Sequence, residues 1–164
     1  MKLSSKAFAA LLVAAVVAGP AATPAFAAGT GYGSSSGGGD INKSSDFRRA
    51  KALVAAGDYA AAIPKLEQVA LQEPDNADVF NMLGFSYRKS GDTDRAAPNY
   101  EKALQLNPKH RGALEYQGEL FLTLNQPEKA EANLAKINEI CWLKCDEARE
   151  LENAIALWRE ANGS

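Results

Sequence analysis

The sequence predicts an all-α protein, a stack of repeated helix pairs closed by one further helix. Two observations point there. Features recur every 34 residues: Pro74 with Pro108, Pro64 with Pro98, Gly57-Asp58 with Gly91-Asp92, Gly84 with Gly118, and Ala62 with Ala96 and Ala130. Each period also holds two helical patterns separated by a turn residue and ended by a proline, as in LEQVALQEP and YEKALQLNP. Units of this kind bury their apolar faces only against their neighbours, which makes a solenoid.

Taken in order, residues 1–27 read as a secretory signal peptide. Lys2 and Lys6 precede the apolar run Ala7 to Ala18, Gly19-Pro20 breaks it, and Ala25-Phe26-Ala27 supplies the small residues of a cleavage site. The run of 12 residues is shorter than the roughly 20 that span a bilayer, and no Cys follows it to carry a lipid. The expectation is cleavage after Ala27, a bacterial periplasmic or secreted product, and no membrane insertion afterwards. Residues 28–42 (AGTGYGSSSGGGDIN) have little to bury against an ordering cost of about 1–2 kcal/mol per residue, and read as a flexible leader. A phosphate-binding loop is the sharper alternative. It requires a preceding strand and a different spacing to Lys43-Ser44, so it is set aside.

The rest divides into repeats at 43–76, 77–110 and 111–142, then a last helix within 143–164. The middle repeat carries Phe80, Leu83, Gly84, Tyr87, Ala96, Tyr100, Ala103 and Pro108. At these positions it resembles the tetratricopeptide-repeat (TPR) family, and the fold the resemblance implies is a right-handed TPR solenoid. The third repeat keeps Leu114, Gly118, Phe121, Ala130 and Leu134 but has Gln117 for Leu and Trp142 for Pro. The first has Asp46 and Arg49 at apolar sites, then recovers with Ala50, Leu53, Gly57, Ala62, Leu66, Val69 and Pro74. Such weak outer repeats suit the ends of a stack.

Packing explains these residue types. Gly84 with Ala96, and Gly118 with Ala130, are expected to let the paired helices approach, with Tyr87, Tyr100 and Phe121 filling the space beside them. Gly57, Gly91 and Asn125 suit a left-handed turn. Pro64 and Pro98 are harmless in a first helical turn and kink the helix if deeper. In the last helix Asp146 is the expected cap, and Ala148, Leu151, Ile155 and Trp158 form its apolar stripe.

The whole chain has 18 basic and 20 acidic residues, and loss of Lys2 and Lys6 leaves net −4. That balance argues against nucleic acid. Cys141 and Cys145 have one residue too many between them for a CxxC redox motif, and in an exported protein they read as a structural disulfide. A redox-active pair is the alternative. A zinc site wants four ligands, and the one histidine, His110, is distant in sequence and reads as an exposed loop residue. The acidic pairs read as solvated helix faces. No catalytic set stands out, so neither catalysis nor a cofactor or metal is expected.

Function is therefore sought on the repeat surface. The resemblance implies a concave groove lined by the first helix of each repeat. Carried onto this chain, its positions are Ser44, Phe47, Lys51, Val54 and Ala55; Asp78, Asn81, Phe85, Arg88 and Lys89; and Gly112, Glu115, Glu119, Leu122 and Thr123. The Lys and Asn that clamp a terminal carboxylate in chaperone-binding members are missing from the pattern. The expectation is a protein-interaction module holding an extended peptide or partner helix: Asn81 to its backbone, Phe85 to an apolar side chain, Arg88 to a carboxylate. The rivals are a thiol–disulfide helper acting through Cys141 and Cys145, and a structural protein that self-associates through its end faces.

Overall fold

The computed structural model describes residues 38–143 and 145–163, with side chains from residue 45 onward. The expected signal peptide and the leader up to residue 37 lie outside these residues. Among those described there are seven helices and no strand: α1 (Gly38–Ala55), α2 (Tyr59–Gln72), α3 (Ala77–Lys89), α4 (Thr93–Leu106), α5 (Arg111–Thr123), α6 (Pro127–Ile140) and α7 (Asp146–Asn162). The fold is all-α, as expected, with the helices following one another in stacked pairs. Helix α1 begins at Gly38, inside the stretch read as leader. Once a helix is nucleated, each added residue gains a hydrogen bond, so poor helix formers can join its end.

Each repeat turns in the same way. Gly57, Gly91 and Asn125 have φ of 76°, 83° and 58°, the left-handed conformation expected for them. The next residue then donates back into the finished helix: Asp58 N–H to the Leu53 carbonyl, Asp92 to Tyr87, and Gln126 to Phe121, at 2.8–2.9 Å. This is the hydrogen bond that satisfies helix-terminal carbonyls in a Schellman ending. Asp58 and Asp92 also start the following helix, accepting the backbone N–H of Ala61 and Arg95 at 3.1 and 3.0 Å. One Gly-Asp pair thus ends one helix and caps the next.

Pro64 and Pro98 lie inside α2 and α4, beyond the first turn. Each helix runs unbroken through its proline. Pro74 and Pro108 each follow a C-cap residue, Glu73 and Asn107, and stop the helix as expected.

The helices form two layers. Helices α1, α3, α5 and α7 pack on one another in sequence, whereas α2, α4 and α6 touch only helices of the first layer. The closely packed layer is therefore the inner one, and its exposed side is the concave face. The core is built from Leu66, Val69, Val79, Leu83, Tyr87 and Tyr100 in the first two repeats, and from Leu114, Ala130, Ile137, Leu151 and Ile155 toward the C-terminus.

Three packing expectations need correction. A Cβ on Gly84 would strike the Tyr100 ring of its own repeat, as expected, but one on Gly118 would strike Leu151 of α7. There the close approach is to the next helix of the inner layer, although α6 still pairs with α5 as the repeat's second helix. Asp146 is the first helical residue of α7, not its cap. Cys145 precedes the helix without a side-chain capping bond, and Asp146 instead pairs with Arg149 at 2.7 Å. Trp158 is half-buried against the core, while Ala148, Leu151 and Ile155 are fully covered.

The departures from the repeat pattern also find reasons. Gln117 replaces an apolar residue because Asn133 stands opposite it, donating to its Oε1 at 3.0 Å and to the Leu114 carbonyl at 3.1 Å. Asp46 and Arg49 pair with each other at 3.4 Å on the open flank of the first repeat. The sulfurs of Cys141 and Cys145 lie within bonding distance, their Cα atoms 6.1 Å apart, across the turn from α6 to α7.

Candidate functional site

The concave face takes its form from which groove residues α3 and α5 spend on each other. Phe85 is the centre of this seam. Its ring packs 6.0 Å from Tyr59 and 4.8 Å from Tyr116, so it is wedged between the first repeat and the third. Arg88 lies beside it, its side chain 11% exposed. It ion-pairs with Glu119 of α5 and donates through Nε to the Tyr100 hydroxyl at 3.3 Å. Its guanidinium also lies 5.7 Å from the Phe85 ring centre and 5.9 Å from that of Tyr116. The guanidinium expected to meet a partner's carboxylate already has one inside the chain.

Asn81 is only 3% exposed, and its Oδ1 has no hydrogen-bond partner. Its amide nitrogen lies over the bare Cα of Gly112, 3.5 Å from where a Cβ would stand. Of the remaining groove positions, Val54 and Leu122 turn into the core. Ala55, Asp78, Lys89 and Thr123 are exposed. Phe47 is half-buried under the ammonium of exposed Lys51, 5.6 Å from its ring centre, and Lys89 stands 5.4 Å from that of Phe85. Ser44 precedes the described side chains.

The acidic side departs further from expectation. Glu115 is 2% exposed, so it is no solvated helix face. Burial is the main cause that pushes its carboxyl up to about 8, reinforced by a hydrogen-bonding contact with Glu150 of α7 and by the charges of Glu150, Glu119 and Glu147. At neutral pH it carries a proton. Residue spacing alone could not pair Glu115 with Glu150, because the turn carrying Cys141 and Cys145 sets how α7 docks.

His110 is also more than a loop residue. Its side chain is 13% exposed, Nδ1 accepts the Ala113 N–H at 3.1 Å as the cap of α5, and Nε2 lies 2.9 Å from Asp78 Oδ1. Those two bonds place the ring hydrogen on Nε2. The signal available in the sequence was its position just ahead of a helical run, which is where caps fall.

The described residues form a repeated helical stack with a polar-rimmed inner face. Comparison places it more closely. Tetratricopeptide repeat models match residues 47–84 and 77–110. The DnaJ protein P58IPK homolog B of Oryza sativa subsp. japonica is 33% identical over 88 residues, covering 54% of this chain and 19% of that protein. The chain thus spans less than a fifth of that relative. Among solved structures, the first TPR of Spaghetti (RPAP3) bound to an HSP90 peptide is similar, with TM-score 0.66 and 18% identity, covering 76% of this chain and 95% of the other. The Yersinia enterocolitica type III secretion chaperone SycD, in complex with a peptide of the translocator YopD, gives 0.64 and 20%, covering 74% and 92%. Residues 47–110 carry tetratricopeptide repeats, and the solved structures show the same fold over about three quarters of the chain.

Proposed function

We propose that this chain is an exported scaffold, without catalysis of its own, that holds an extended peptide or partner helix on its concave face. The observation that supports this best is the inner layer itself. Four helices line it, Lys51 and Lys89 stay exposed over the half-buried rings of Phe47 and Phe85, and Asp78 is exposed on α3. A partly apolar centre ringed by exposed charge is the arrangement of protein interfaces. Two solved structures of this fold contain bound peptides, which supports the same use of the face here.

In this reading Asn81, Phe85 and Arg88 shape the groove floor, and the exposed rim makes the contacts. Cys141 and Cys145 are a structural disulfide: they join the end of α6 to the start of α7 and pack against the core. The signal-like first 27 residues support a bacterial periplasmic or secreted location.

The test is crosslinked capture from the producing cells. Lys51→Glu with Lys89→Glu should reduce capture of the partner severalfold, while Lys102→Ala on α4 leaves it unchanged. Equal capture by wild type and the double variant would overturn the groove reading. Export is checked by N-terminal sequencing of the localised protein. A start at Ala28 or Gly29 is expected, and Met1 would refute it.

A further inference from the structure

Large apolar side chains on the surface of the described residues mostly stand singly in their helices, as Leu71 does on α2 and Leu157 on α7. Single ones are ordinary on a protein surface. The turn from α6 to α7 is different. Trp142 and Leu143 are adjacent there, 98% and 79% exposed, between the two joined cysteines. The link holds the ends of the turn 6.1 Å apart at Cα, and Cys141 and Cys145 pack on the core. The apolar pair thus sits on a braced tip, which lowers the entropy lost when a partner covers it.

Beside this knob lies a socket. An open cleft of about 400 Å³ is lined by Pro108 and Lys109 of the α4–α5 turn and by Lys136, Glu139 and Ile140 at the end of α6. Ile140 is two residues from Trp142 in the chain, yet the Trp142 ring points to solvent and does not fill the cleft. The lining matches an indole in chemistry. Pro108 and Ile140 offer apolar surface, the ammoniums of Lys109 and Lys136 suit the face of an aromatic ring, and the Glu139 carboxylate can accept the indole N–H. The volume is in the range of small-ligand sites, enough for one indole ring.

A knob and a socket side by side on one surface are self-complementary. A two-fold axis between them seats two knobs in two sockets at once. The two rings remove roughly 300–500 Å² from water, and the clefts they enter lose a comparable area. With Leu143 added, the total approaches the roughly 1,000 Å² that a specific interface needs, the scale of a weak, reversible pair.

We propose that the chain pairs with a second copy of itself through this surface, Trp142 of each copy entering the cleft that Lys109, Lys136 and Glu139 line on the other. None of the groove residues belongs to this surface, so its failure would leave the peptide-binding reading standing.

The experiment is analytical ultracentrifugation of the protein, purified without reductant, from micromolar to near-millimolar concentration. Wild type should pass from monomer to dimer across that range. Trp142→Ala, which removes an exposed side chain and leaves the core intact, should stay monomeric. Lys109→Glu with Lys136→Glu should weaken pairing severalfold. In Trp158→Phe, Trp142 is the remaining tryptophan, and its fluorescence should move to shorter wavelength as the dimer forms. A monomer at every concentration overturns the proposal, as does a dimer that Trp142→Ala leaves intact. A monomer whose Trp142 emission shifts only on adding phosphatidylglycerol vesicles overturns it in favour of a lipid surface.

Discussion

The ring of Tyr100 lies directly on the bare face of Gly84, so close that a Cβ there would come within 2.7 Å of two ring carbons. Tyr100 is fully buried and its hydroxyl receives Arg88, so the ring has no room to retreat. Gly84→Ala should therefore destabilise the fold by about 1–3 kcal/mol, the usual cost of overpacking. Gly57→Ala has open space but a φ of 76°, and should cost about 1 kcal/mol through backbone strain alone. Thermal melts of the two variants read the difference. A Gly84→Ala protein that melts with the wild type would show that the close approach is dispensable.

His110 connects two repeats through one ring. Replacing it with Ala removes the α5 cap and the contact to Asp78, and should cost about 1 kcal/mol or somewhat more. Asn retains a capping oxygen and loses the reach to Asp78, so His110→Asn should fall between Ala and wild type. Urea unfolding midpoints test the order. If the Ala variant equals wild type, the cap contributes nothing.

The buried carboxyl of Glu115 makes stability depend on pH. Its folded value is raised from 4.5 to about 8, so the folded state binds the proton more tightly than the unfolded chain does. The stabilisation is full below about pH 4.5 and is lost as pH rises through about 8. Glu115→Gln stays neutral and can donate to Glu150. Relative to that variant, the wild type should lose melting temperature between pH 5 and pH 8. Parallel curves for the two proteins across that range would refute the buried, protonated state.

The Cys141–Cys145 link closes a very short loop, and in the chain-entropy model such a closure stabilises by about 2 kcal/mol. Changing both residues to Ser should lower stability by about that much. The loss should concentrate in α7, whose amide hydrogens should exchange faster. Protein isolated without reductant should show no free thiol to a colorimetric reagent. Reactive thiols in that preparation would favour the redox rival.

Much of this architecture is legible in the chain because it is locally encoded. The 34-residue interval, the left-handed turns at Gly57, Gly91 and Asn125, and the stops at Pro74 and Pro108 depend on residues a few positions apart. Backbone sterics and helical spacing settle such features wherever the segment sits. The face that would line a groove follows from the same periodicity. The residues left free on it do not.

That second question is decided between helices. Arg88 looks like an open cation until α5 brings Glu119 against it. Phe85 looks like a ligand contact until Tyr59 and Tyr116 close on either side. Glu115 looks solvated until α7, which lies outside the 34-residue rhythm, sets Glu150 on it and Leu151 on Gly118. A side chain's charge state and its availability to a partner depend on what is packed within a few ångströms. Those neighbours come from segments whose relative docking no local spacing records.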